Sequence, residues 1–213
     1  MVLVASLGVA ACSDDPVAGA RDLRIGGGTV HAIDRGPVGD AAGVVLFLHG
    51  GAYTSDVWDR TGLLDDVLDA GWRGMAIDLP GSGDSDDTTL DPVEFLGAVV
   101  DELGEPPVIV SPSASGRYSL PFVAAHPDRV RGFVPVAPVG AAGFSMPSGA
   151  TPPPSLVVWG SEDDLFPPSI APQLAEALGG RAEVIEGAGH AAYDDDPAAF
   201  RDLLVGLLAT LSH

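Results

Sequence analysis

From Val44 onward the chain alternates between two patterns. Short runs that are apolar at nearly every position give way to longer stretches in which apolar residues recur every three or four places. The first kind reads as strands buried on both faces, the second as helices with one buried side. The runs Val44–Leu48, Arg73–Ile77, Pro107–Val110, Gly132–Val136, Leu156–Trp159 and Ala182–Ile185 predict strands. Between and after them, Thr61–Ala70, Asp91–Leu103, Ser113–Ala125, Pro168–Leu178 and Pro197–Leu211 predict helices, three of them closed by a glycine. Ahead of this region Asp22–Ile25 and Thr29–Ile33 are weaker strand signals around a Gly26-Gly27-Gly28 turn, and residues 13–21 read as a polar tether.

Strands and helices in alternation predict an α/β fold, a mostly parallel central sheet with helices on both faces. The 213 residues suffice for one well-buried domain, expected over residues 22–213. Ligands of such sheets sit beyond the carboxyl ends of the strands, and every chemically suggestive residue falls at one of those ends.

Charge and cysteine content change the picture outside the fold. Thirty acidic side chains face ten basic ones, all arginine, for a formal charge of −20. That field repels phosphate backbones and anionic lipid surfaces, so nucleic acid is not an expected partner. The single cysteine, Cys12, excludes an intrachain disulfide. It ends an apolar stretch too short to span a bilayer, and Val9-Ala10-Ala11-Cys12 before Ser13-Asp14-Asp15-Pro16 resembles a bacterial lipobox. Residues 1–21 are therefore expected to form a lipoprotein signal and tether, lipidated at Cys12 and anchored at the cell envelope; because no Lys or Arg precedes the apolar stretch, a chance apolar end on a cytoplasmic protein is the alternative.

The segment Val108-Ile109-Val110-Ser111-Pro112-Ser113-Ala114-Ser115-Gly116 runs a strand straight into a helix, with Ser113 at the junction. A sharp turn there would hold the hydroxyl exposed above the sheet, as a nucleophile requires. Strand and helix crowd each other two residues either side of such a nucleophile, where glycine is usual. Serine, at 111 and 115, is small enough to fit. Were Ser115 the nucleophile, Arg117 would occupy a tight position; were it Ser111, Ile109 would. A serine needs a base, and the base an orienting carboxylate, in the chain order Ser, acid, His. Leu156–Trp159 runs into Gly160-Ser161-Glu162-Asp163-Asp164, and Ala182–Ile185 into Gly187-Ala188-Gly189-His190. His190 is the candidate base, and Asp163 is preferred over its acidic neighbours for its Gly-x-x-Asp spacing from the strand end. The backbone N–H groups of Ala114 and of Gly51, after His49-Gly50, are the candidate oxyanion donors. His49 itself reads as a structural turn residue.

These pieces resemble the α/β-hydrolase superfamily over about residues 22–212. The nearest likeness is to the α/β-hydrolase domain-containing 14 group, also called CIB-like. It rests on Leu46-Phe47-Leu48-His49-Gly50, Ala76-Ile77-Asp78-Leu79-Pro80-Gly81, the serine-flanked elbow with Tyr118-Ser119-Leu120-Pro121, and Gly132-Phe133-Val134-Pro135-Val136-Ala137-Pro138. The resemblance implies the α/β-hydrolase fold and a lidless serine hydrolase of small acyl esters, with no cofactor and no metal. An acetyl-lysine deacetylase activity that passes the acetyl group to coenzyme A is also attributed to the group; for an exported protein, water is the expected acceptor. A same-fold enzyme of other chemistry (perhydrolase, haloperoxidase or C–C hydrolase) and an inactive binding module are the competing readings. Between the strand Gly132–Val136 and the acid-bearing strand, Ala137–Ser155 is rich in proline and glycine and too short for a helical cap. An open site is expected, with Phe144 and Met146 edging a shallow acyl pocket.

Overall fold

The computed structural model describes residues 17–36 and 41–211. Its eight strands are β1 (Val17–Ile25), β2 (Gly28–Gly36), β3 (Val44–Phe47), β4 (Arg73–Ile77), β5 (Val108–Pro112), β6 (Gly132–Val136), β7 (Leu156–Gly160) and β8 (Arg181–Ile185). They form one sheet in the order β1-β2-β4-β3-β5-β6-β7-β8. The β1–β2 hairpin turns at Gly26-Gly27 and is antiparallel, as is β2 against β4; every pairing from β4 to β8 is parallel.

The uniformly apolar strands follow from burial on both sides. Alternate residues of a strand face opposite sides of its sheet. Val44, Leu46 and Leu48, with Met75, Ile77, Ile109, Val157 and Trp159, face one core. That core is closed by α3 (Pro92–Leu103), α4 (Gly116–Ala125) and α5 (Ala171–Ala177). Val45 and Phe47, with Ala76, Val108, Val110, Leu156 and Val158, face the other. There α1 (Asp56–Arg60), α2 (Leu63–Asp69), α6 (Ala192–Asp195) and α7 (Pro197–Leu211) cover the sheet. The polar residues on the central strands, Arg73 on β4 and Ser111 on β5, are themselves buried.

The strand ends Arg73–Ile77 and Gly132–Val136 and the helix Pro197–Leu211 match the pattern-based expectation residue for residue. Other boundaries shift. The helix expected from Ser113 begins with a 3-10 turn, Ser113–Ser115, before α4, and another 3-10 turn, Pro168–Ile170, precedes α5. The short helices α1 and α6 carry too few turns to show a period. The expected tether 13–21 is corrected at its end: β1 starts at Val17, so the sheet begins before residue 22. As an edge strand pairing only with β2, β1 tolerates the small and charged residues that made this segment look like a linker. Cys12 and the rest of the expected signal lie outside the described residues.

Pro135 interrupts the ladder on one side of β6. Phe133 and Ala137 donate their N–H groups to Pro154 and Val158 (2.9 and 3.1 Å), but Pro135 between them has none to give, and β6 pairs with β7 at only one position. The interval Ala137–Ser155 that follows contains no helix, so it contributes no helical cap to the sheet's carboxyl edge. Phe144 and Met146 pack, half-buried, against the first core.

At the other edge, one buried ion pair holds three strands. Asp34 on β2 has no exposed side-chain surface. It accepts from Arg73 Nε and Nη2 on β4 (2.9 and 2.6 Å) and from Arg21 Nη1 on β1 (3.1 Å). Removing one partner of a buried pair leaves a charge without compensation, which is the costly way to break it. Arg73→Ala should lower the unfolding free energy by about 3–5 kcal/mol in urea titration. Arg21→Ala, whose side chain is 38% exposed, should lower it by less than about 1 kcal/mol.

Candidate active site

β5 delivers Ser113 to the turn, and the turn is sharp. Ser113 has φ +50°, one of two non-glycine residues at positive φ among those described; the other is Ala137, at the end of neighbouring β6. This left-handed region is disfavoured for side chains with a Cβ. The Ser113 carbonyl accepts from Val139 N–H at 2.8 Å, so the segment after β6 holds the turn from one side. The close approach that usually demands glycine two residues past the nucleophile falls one residue later. A Cβ on Gly116 would lie 2.4 Å from the Val139 carbonyl oxygen. Ser111 and Ser115 are fully buried beneath the turn, while Ser113 is partly exposed.

The three sequence-selected side chains meet above the sheet. Ser113 Oγ donates to His190 Nε2 at 2.8 Å, and His190 Nδ1–H donates to Asp163 Oδ2, also at 2.8 Å. Asp163 has no exposed side-chain surface, and its Oδ1 accepts from the N–H groups of Leu165 and Phe166 (2.8 and 2.9 Å). Glu162 and Asp164 point to solvent. Trp159 on β7 pins the acid loop by donating Nε1–H to the Phe166 carbonyl at 2.9 Å, and the Phe166 ring meets the His190 ring edge-on.

What aligns acid with histidine is backbone contact between their loops. A Cβ at Gly160 would lie 2.1 Å from the Gly189 carbonyl oxygen, so only glycine lets the loops close. Glu162 N–H donates to Ala188 O (2.8 Å) and Gly187 N–H to Ser161 Oγ (2.8 Å). Gly189 N–H donates to Asp195 Oδ2 (2.8 Å), which braces the turn carrying His190.

Gly51 crosses beside the elbow: a Cβ there would stand 3.5 Å from that of Ala114. The Ala114 N–H, in the first turn, has no acceptor within the turn. His49 fixes the loop before Gly51. Its Nε2 accepts from Leu79 N–H (2.9 Å) and its Nδ1–H donates to the Gly50 carbonyl (2.8 Å), a neutral imidazole tying the ends of β3 and β4 together. Burial lowers its pKa below the ordinary value, in keeping with that neutral role. Asp78, also buried, accepts from Ser55 and Asp84 N–H groups (2.6 and 3.0 Å) and organises the same rim. Tyr193 is buried and stacks on Trp58 (centroids 4.5 Å apart); the Trp58 indole N–H in turn donates to Leu48 O (3.1 Å). An open polar cleft of about 480 Å³ lies beside Gly51, lined by Thr54, Asp56, Arg60 and Ser82 among others.

Sequence reasoning missed the bracing residues Asp78, Asp195 and Gly116. Asp78 had a signal, an acid ending an apolar strand ahead of Leu-Pro-Gly; the contacts of Asp195 and Gly116 become visible only in three dimensions. Among the described residues no group of three or more His, Cys, Asp or Glu side chains is placed to hold a metal ion.

Comparison with known proteins decides the family. The model of the alpha/beta hydrolase fold matches residues 43–152. The chain is an α/β-hydrolase. Among curated members it is similar to ABHD14B of Homo sapiens, whose name carries a proposed protein-lysine deacylase activity. The identity is 40% over 183 residues, 81% of this chain and 86% of the relative. ABHD14A of Mus musculus is 36% identical over 176 residues, 79% of this chain and 70% of the relative. These relatives place this α/β-hydrolase with the ABHD14 proteins. A solved structure from Thermoplasma acidophilum, named a predicted CIB-like hydrolase, shares the fold at TM-score 0.80 and 24% identity, covering 92% of this chain and all of the other. Carboxylesterase CesB of Bacillus subtilis shares it at TM-score 0.70 and 18% identity, with 92% of each chain covered.

Proposed function

We propose that this α/β-hydrolase is a serine hydrolase that cleaves small acyl esters through a covalent acyl-enzyme on Ser113. The reading is carried by the unbroken line from Ser113 Oγ through His190 to a buried, fully hydrogen-bonded Asp163, at 2.8 Å in each link. As Ser113 Oγ attacks the acyl carbon, its proton passes to His190 Nε2. The Asp163 carboxylate stabilises the resulting imidazolium and keeps Nδ1 protonated. The substrate oxygen, now negative, takes hydrogen bonds from Gly51 and Ala114 N–H. His190 then returns the proton to the departing alcohol, and a water activated by the same histidine cleaves the acyl-enzyme. Acyl-lysine amides are a second substrate class under the same mechanism, supported by the name of the human relative.

The acyl side is proposed to be shallow. The Ala137–Ser155 interval has no helix to build a tunnel, while exposed Leu165 and the Phe166 ring supply a small apolar lip next to His190. We propose in addition that Cys12 is lipidated and holds the enzyme at the cell envelope, on the lipobox-like residues before it.

Three measurements test these statements. Ser113→Ala should lower ester hydrolysis by about 10⁴-fold or more and abolish fluorophosphonate labelling. Asp163→Asn should cost about 10⁴-fold in kcat with the fold retained, because neutral Asn favours the wrong imidazole tautomer, while Asp164→Asn stays near wild type. An active Ser113→Ala protein would remove the serine mechanism. Second, kcat/KM across acetyl, butyryl, octanoyl and palmitoyl esters of one alcohol should peak at the short chains; a steady rise to palmitoyl would contradict the shallow site. Third, cell fractionation should find the native protein in the membrane fraction and Cys12→Ser released from it. Recovery of the native protein in the cytosol with Met1 intact would exclude export.

A further inference from the structure

The two serines that stand where glycine is usual are joined by a third. Ser111 Oγ lies 2.9 Å from Ser115 Oγ and 2.6 Å from Ser119 Oγ, and Ser115 Oγ donates to the Pro112 carbonyl at 2.7 Å. All three side chains are fully buried. Each hydroxyl has one proton, and this settles the direction of every bond. Ser115 gives its proton to Pro112 O, so it accepts from Ser111. Ser111 has then used its proton, so it accepts from Ser119. The result is a one-way relay: Ser119 O–H to Ser111, Ser111 O–H to Ser115, Ser115 O–H to the Pro112 carbonyl.

The relay ends on the peptide immediately before the strained residue. Pro112 and Ser113 share that peptide plane, and fixing its carbonyl fixes the torsion from which Ser113, at φ +50°, must be built. The peptide after Ser113 is held separately, by Val139 N–H on the Ser113 carbonyl. A glycine-flanked elbow reaches the same turn through steric freedom alone. Here the small residues also supply hydrogen bonds, and bonds in a chain polarise and strengthen one another.

We propose that Ser111, Ser115 and Ser119 are positioning residues that act as a unit, holding the Pro112–Ser113 peptide so that Ser113 Oγ stays in line with His190. The inference rests on Ser113 being the nucleophile. Its distinctive content is that hydroxyls, and not merely small size, are required, and that the last link carries the effect of the upstream ones.

Glycine substitution separates the two ideas, because glycine fits wherever serine does and restores the usual elbow. Wild type, Ser115→Gly, Ser119→Ala and the double variant should be compared by kcat and KM on an acetyl ester, by the rate of fluorophosphonate acylation and by thermal midpoint. Ser115→Gly should lower kcat and the acylation rate by about tenfold, the rate equivalent of one net hydrogen bond, with KM within about twofold. Ser119→Ala should lower them by a smaller factor in the wild-type background and by almost nothing once Ser115 is glycine. Ser119→Thr, which keeps the hydroxyl, should recover the rate lost in Ser119→Ala. Wild-type kcat in Ser115→Gly would overturn the proposal, as would independent, multiplicative losses in the double variant. A loss confined to the thermal midpoint would show packing alone and would overturn it too. Ser113→Ala is the control: if that variant still hydrolyses the ester and takes up the probe, the nucleophile assignment fails, whatever the relay variants do.

Discussion

Everything at the carboxyl edge of the sheet is arranged around one unfavourable torsion, the φ of +50° at Ser113. A residue with a side chain in that region costs on the order of 1–3 kcal/mol and persists only where its surroundings overdetermine it. The surroundings here do so from several directions. β5 pairs with β6 along its whole length and with β3 over Val108–Val110, so the chain arrives held on both sides. Val139 takes the Ser113 carbonyl from one side, and Gly116 lets the same segment press against the start of α4. The strain lifts the hydroxyl clear of the sheet to where His190 meets it.

The electrostatics of the site are built from backbone. In a chain of net charge −20, buried carboxylates have few arginines to recruit. Asp34 does recruit Arg73, far along the sheet from the nucleophile. Asp163 and Asp78 do not. Asp163 is held by two amides and His190, and Asp78 by two amides. Amide dipoles satisfy a carboxylate without cancelling its charge, so the field of Asp163 remains available to His190. A guanidinium in the same place would bind the carboxylate as tightly and neutralise its pull on the imidazole.

Much of this could be read before any coordinates. The parallel strands were legible because burial on both faces leaves no polar position, as in Val44-Val45-Leu46-Phe47. Ser113 and Asp163 were legible because each stands just past such a strand, and His190 because it is the histidine in the loop after the next strand, the half-exposed edge strand β8; parallel strands bring their ends together. Asp163 stood out from Glu162 and Asp164 by spacing alone, and the structure buries it while its neighbours face water. The rest depended on distance in three dimensions. Arg73 begins an apolar strand and looks like an exposed end until β2 sets Asp34 beside it. The start of β1 at Val17 was hidden because an edge strand need not be apolar. Ser111, Ser115 and Ser119 show a clear i, i+4, i+8 spacing. Read as a steric pattern, it explains how the helix fits the strand; only the distances reveal that the hydroxyls touch.

The uncapped edge has a consequence for how such a scaffold can diversify. The Ala137–Ser155 segment is anchored at both ends, by Ala137 N–H on Val158 and by the bridge from Phe133 to Ser155, while much of its middle is exposed. For a flexible loop, each doubling of length costs only about 0.6 kcal/mol in closure entropy. New sequence inserted at the exposed stretch 147–149, beyond Val139 on the elbow and beyond Phe144 and Met146 on the first core, would leave the elbow, the acid loop and both cores in place. The bare scaffold is thus a chassis onto which a selectivity-determining lid can be grafted at a single point, with the chemistry below left as it is.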